Sequence, residues 1–207
     1  MESGIHIFWI LSRATGIAAI LLAGLSVTVG LLAGRGLPFR LPSRFDPKSV
    51  HEALSMATIA LIASHGLLLL GDNWLDPGIT GIAVPFAMGY RPFWTGLGII
   101  AGYGIALLGL SYYLRSRIGP SRWRNAHRFV AVFWILGLIH TFGAGTDAGQ
   151  AWLWLPVALT SGPALALLAV RMGRVSALGS ADRDSRRRRS PRGAGLGGER
   201  GLAARDR

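Results

Sequence analysis

The chain has 207 residues, 51% of them hydrophobic, with a mean hydropathy of +0.41 and a net charge of +12. That is too apolar for an ordinary soluble domain and fits several membrane spans. Half of the basic residues follow Val170 and most of the others sit in two short loops between apolar runs. The pI near 11.6 is therefore no argument for nucleic acid as a partner. Cysteine is absent, which excludes disulfides, cysteine-ligated iron–sulfur clusters and covalent c-type heme.

The first apolar run extends from about Ile5 to Ala33 and contains Arg13 in the stretch SRATG. The chain opens with Glu2, lacks a basic n-region and has an apolar run too long for an h-region, so this run reads as a retained span. Gly16, Gly24 and Gly30 give it surfaces for close helix packing. A Pro-rich loop with Arg35, Arg40, Arg44 and Lys48 follows, and Asp46-Pro47 starts the next helix. The second span, Val50 to Leu70, carries His51 and His65. Turn residues then lead to Ile79–Met88, interrupted by Pro85 and too short to cross a bilayer. It reads as a surface cap or re-entrant piece, with Trp74, Tyr90, Phe93 and Trp94 as interfacial anchors.

The third span runs from Trp94 to about Leu114 and is glycine-rich. A basic loop with Arg115, Arg117, Arg122, Arg124 and Arg128 leads to the fourth, about Ala126 to Phe142, with His127 and His140. A turn with Asp147 as its one charge leads to the fifth, Trp152 to about Met172, which Pro156 and Pro163 are expected to kink. From Gly173 to Arg207 the composition of Arg, Gly, Ser and Ala cannot bury a core and predicts a disordered cytoplasmic tail. Its cluster Arg186–Arg189 reads as a solvated run near anionic lipid. The predicted fold class is thus all-α: an integral, multi-pass plasma-membrane bundle of about five transmembrane helices. The two basic loops and the tail are cytoplasmic by the positive-inside rule, which puts the N-terminus outside and the C-terminus inside.

The histidines carry the functional reading. His51 to His65 is 14 helical steps, about 21 Å, and His127 to His140 is 13 steps, about 20 Å. Both spans are entered from the cytoplasm, so His51 and His127 share an inner level and His65 and His140 an outer one. Two hemes, one per leaflet, need about that separation within a hydrocarbon core of about 30 Å. Helical phase is less uniform. Fourteen steps leave the first pair on one face, whereas thirteen leave the second pair about 140° apart. A lone histidine in an apolar helix is often a packing residue. Four of five at matched depths, in a setting where ionisable groups are costly, point instead to bis-histidine heme. Two ligands per level complete neither a zinc nor a di-iron shell. Glu52 follows His51, but no H-E-x-x-H occurs. His6 has no partner at this spacing. Arg13 suits a heme propionate, and snorkelling to the outer surface accounts for it equally well. Arg124 and Arg128 suit inner propionates or ordinary positive-inside anchoring.

The stretches RATG (13–16), HEALSMATIALIASHGLLLL (51–70), GYRPFWTGLGIIAGY (89–103) and RWRNAHRFVAVFWILGLIHTFGAGTDA (122–148) resemble the ferric-reductase-like transmembrane domain. That superfamily includes ferric reductases, the membrane half of NADPH oxidases and the heme subunit of a bacterial methionine-sulfoxide reductase system. The resemblance covers about residues 5–172, within a domain placed at 1–172. It implies two b-type hemes, with His51 and His127 on the inner iron and His65 and His140 on the outer. Members commonly have six spans, against five here, and often a C-terminal flavin and nicotinamide module, in place of which this chain has a basic tail. The implied activity is electron transfer across the membrane from a cytoplasmic flavoprotein or quinol to an external acceptor, ferric iron or a partner reductase. A heme-free scaffold or a sensor subunit is the alternative.

Overall fold

The computed structural model describes residues 7–34 and 46–189, with backbone alone for 175, 176 and 178–189. His6, Arg35, Arg40, Arg44 and the end of the tail (190–207) lie outside the described residues. The described chain is all-helical: α1 Ile7–Ala33, α2 Pro47–Leu68, α3 Gly78–Ala83, α4 Pro92–Leu110, α5 Arg115–Ile118, α6 Pro120–His127, α7 Val130–Ala144 and α8 Ala151–Arg189. Among the described residues, five helical stretches are long and apolar enough to cross a membrane: Ile7–Ala33, Pro47–Gly71, Pro92–Ile118, Pro120–Ala144 and Ala151–Arg174. α3, at six residues, is not one of them.

The chain divides into two compact units, Met1–Leu167 and Leu168–Arg207. In the first, α1 packs along α2 and α4 along α7, while α1 also touches α7 and α2 touches α4. The four long helices thus form a ring of alternating direction, with α2 and α7 at opposite corners. The side-chain distribution is inverted relative to a water-soluble bundle. Ser12, Ser26, Thr58, Thr95 and Ser161 are buried, while Ile7, Leu67, Leu107, Leu155 and Leu159 are exposed. An outward apolar surface of this kind is stable only against another apolar phase, and lipid chains supply it.

Local chemistry sets the helix boundaries. Asp46 caps α2, its carboxylate accepting from Lys48 N and Ser49 Oγ, and Pro47 occupies the first turn, where its missing N–H costs nothing. Between α6 and α7 the backbone tightens at Arg128 and Phe129 into i→i+3 bonds: Phe129 N to Ala126 O, Ala131 N to Arg128 O and Val132 N to Phe129 O. Such turns advance about 120° per residue. They take up part of the roughly 140° phase mismatch between His127 and His140.

α8 is continuous through Pro156 and Pro163 and reaches Arg189. The composition from Gly173 predicts disorder. No proline follows Pro163 until Pro191, and the six Arg between 174 and 189 are good helix formers.

Candidate heme-binding site

Each histidine meets its same-level counterpart. The His51 and His127 rings have centroids 6.1 Å apart, and those of His65 and His140 are 6.2 Å apart. The His51–His127 pair joins α2 to the end of α6 and the His65–His140 pair joins α2 to α7. Two imidazoles bound to opposite faces of one metal, at nitrogen–metal distances of about 2 Å, place their centroids about 6 Å apart. The observed separations fit that arrangement at both levels.

Three of the rings are fixed by the same device. Nδ1 of His51 lies 2.9 Å from Ser26 O, Nδ1 of His65 2.8 Å from Ser12 O, and Nδ1 of His140 2.8 Å from Trp94 O. A carbonyl oxygen can only accept, so each Nδ1 must carry the proton. In the neutral ring the lone pair is then on Nε2. Metal-ligating histidines are commonly oriented this way. The serine hydroxyls reinforce it: Ser12 Oγ donates to His65 O and lies 3.0 Å from His65 Nδ1, and Ser26 Oγ lies 3.1 Å from His51 Nδ1. His127 differs. The carbonyl of Leu108 is on its side, yet Nδ1 closes no hydrogen bond.

Glycines make room for the rings. A Cβ at Gly16 would stand 2.8 Å from His65 Nδ1, one at Gly30 2.9 Å from His51 Cε1, and one at Gly98 2.5 Å from His140 Nδ1. These are closer than side chains tolerate, and the groups they meet are rings held in place. Gly24 serves a different purpose, allowing the α8 backbone at Thr160 to approach within 3.0 Å of where its Cβ would be.

The sequence carries one signal for this cradle. S-x-x-x-G occurs twice in α1, at Ser12/Gly16 and Ser26/Gly30, 14 residues apart. This is the His51–His65 interval, laid antiparallel against it.

A cavity of about 580 Å³ opens at the level of His65 and His140, lined by these two, Ser12, Gly16, Gly98 and Arg13 among others. Its size falls within the range of about 300–1,000 Å³ usual for cofactor sites. Gly81, Ile82 and Met88, from α3 and the segment after it, also line it. Arg13 is among the lining residues. Its guanidinium is bidentate to Asp147 and lies over the rings of Trp9 and Trp152, 5.1 and 5.6 Å from their centroids. Among the described residues, no group of three or more His, Cys, Asp or Glu is arranged to hold a bare metal ion. Two imidazole nitrogens per level are nevertheless a donor set that would suit a porphyrin iron.

Comparison with family models, curated proteins and solved structures finds no match. The chemistry of the four rings is therefore the ground for the functional reading.

Proposed function

We propose that this chain is a di-heme b-type membrane cytochrome of the ferric-reductase-like kind. It would lie in the plasma membrane with its N-terminus outside and its C-terminus in the cytoplasm. The carrying observation is that His51/His127 and His65/His140 face each other at two levels, with Nδ1–H donating to a backbone carbonyl in three of the four. The hemes, when bound, supply reversible one-electron chemistry. The protein's part is ligation by the histidines, orientation by the carbonyls of Ser12, Ser26 and Trp94, and exclusion of water by the apolar lining. His51 with His127, and His65 with His140, would hold the two groups. The acceptor outside would be ferric iron or a partner reductase, and the donor a cytoplasmic flavoprotein or quinol. Arg13, in the lining of that cavity, would be the cation available to a carboxylate of the outer cofactor, and in this structure it is paired with Asp147.

The absorption spectrum of the purified chain, expressed with ample porphyrin supply, tests the reading. The expected result is a reducible low-spin b-type signature with close to two hemes per chain. A colourless preparation overturns it and favours the heme-free scaffold or sensor. Vesicles with donor inside and ferric iron or a partner reductase outside then identify the two ends of the path.

A further inference from the structure

His127 Nδ1 closes no hydrogen bond, although the Leu108 carbonyl is on its side, and an aromatic side chain supports its ring instead. Trp94 and Leu108 are 14 residues apart on α4, the same interval that separates the two levels on α2. Trp94 O holds His140 Nδ1. By register, Leu108 O would hold His127. His127 Nδ1 closes no such bond, while Leu108 O accepts the Ser111 hydroxyl at 2.7 Å and Ser111 Oγ accepts the indole N–H of Trp123 at 3.2 Å. The indole itself stacks on the His127 ring, with centroids 4.8 Å apart and planes 26° from parallel. The Tyr112 ring packs edge-on against Trp123 at 5.6 Å, and the Arg115 guanidinium lies over Tyr112 at 3.9 Å. An aromatic relay clamps the ring from its face where the other three are pinned at Nδ1.

We infer that Trp123 is a positioning residue for the inner heme ligand: its indole, locked by Ser111 and Tyr112, fixes the orientation of His127 in place of the hydrogen bond that holds the other three. This rests on the di-heme reading. Two consequences follow from the chemistry. A histidine that donates Nδ1–H to a carbonyl is a more basic ligand, so the inner pair, with one such bond, differs electronically from the outer pair, with two. The inner ring's orientation also depends on a side chain that can be changed without touching either ligand.

The test uses the full chain with its hemes, comparing wild type, Trp123→Phe and Trp123→Leu by redox titration and by low-temperature electron paramagnetic resonance of the oxidised form. Trp123→Phe keeps a flat ring and is expected to retain two sharp low-spin components. Trp123→Leu removes the stacking face. It is expected to broaden the inner component, shift its midpoint and lower its occupancy, while the outer component, the internal control for folding, is unchanged. His51→Ala identifies the inner component by deleting it. An inner component in Trp123→Leu with wild-type line shape and midpoint overturns the inference while leaving the di-heme reading intact. So does equal loss of both components, which marks Trp123 as general packing. A wild-type chain with no heme signal overturns both.

Discussion

At the scale of single residues, a proton on the inward-facing nitrogen would block a histidine from acting as a ligand. Carbonyl contacts at Nδ1 settle this for His51, His65 and His140 without any charged neighbour. His65→Ala and His140→Ala are each expected to remove the outer spectral component and spare the inner. Loss of both from either change, in a chain shown to be folded, would undo the assignment of levels. The glycines opposite the rings give a sharper check. Gly16→Val puts branched carbon where the His65 ring lies and is expected to abolish the outer component. Gly66→Ala, beside the same histidine but with nothing within 4 Å, is expected to leave the spectrum as it was. If the two behave alike, the cradle is not what holds the ring.

At the scale of elements, each histidine depends on where its helix begins. His51 lies in the second turn of α2, so the cap at Asp46 governs its position. The Ser49 hydroxyl, and then the Lys48 backbone N–H, hold the Asp46 carboxyl below its ordinary value. The folded form is therefore the stronger acid. The cap's contribution is complete above the unfolded value of about 3.9 and is lost as pH falls through the folded one. Asp46→Ala is expected to lower the thermal midpoint at neutral pH. Asp46→Asn, an equally good cap that does not titrate, is expected to keep the midpoint and reduce its fall in acid. A midpoint unaffected by the alanine would show that the cap is dispensable. The second histidine helix solves a harder problem. Thirteen steps of an unbroken helix cannot aim His127 and His140 at one partner helix, and the tight turn at Arg128 and Phe129 supplies part of the missing rotation. Only the unequal spacing hinted at this break, because i→i+3 bonding leaves no mark in hydropathy.

At the scale of the whole molecule, the alternating ring of α1, α2, α4 and α7 puts the two histidine helices at opposite corners, so anything held between them is enclosed by all four. Direction across the membrane rests on charge, with Arg115, Arg117, Arg122, Arg124 and Arg128 on one side and a single acid, Asp147, in the α7–α8 turn on the other. Because the chain has no cysteine, an introduced one is the only thiol. Ser121→Cys is expected to react with an impermeant thiol reagent only after the cytoplasmic face is opened, and Asn73→Cys in intact cells. The reverse pattern would invert the proposed route of the electron.

The spans and the two histidine levels were legible in the sequence because both depend on local quantities: the hydropathy of a window and the fixed rise of a helix. Five apolar stretches, the short Ile79–Met88 piece and the matched depths followed directly. What the residues around the rings do depends on pairings that no window contains. Ser12 reaches His65 across 53 positions, Trp94 reaches His140 across 46, and Arg13 finds Asp147 across 134. Arg13 has an acid of the same chain beside it, and its sequence context held no trace of that. Helix rise set how deep each imidazole lies; only the packing of one helix against another decided which way it faces and what holds it there.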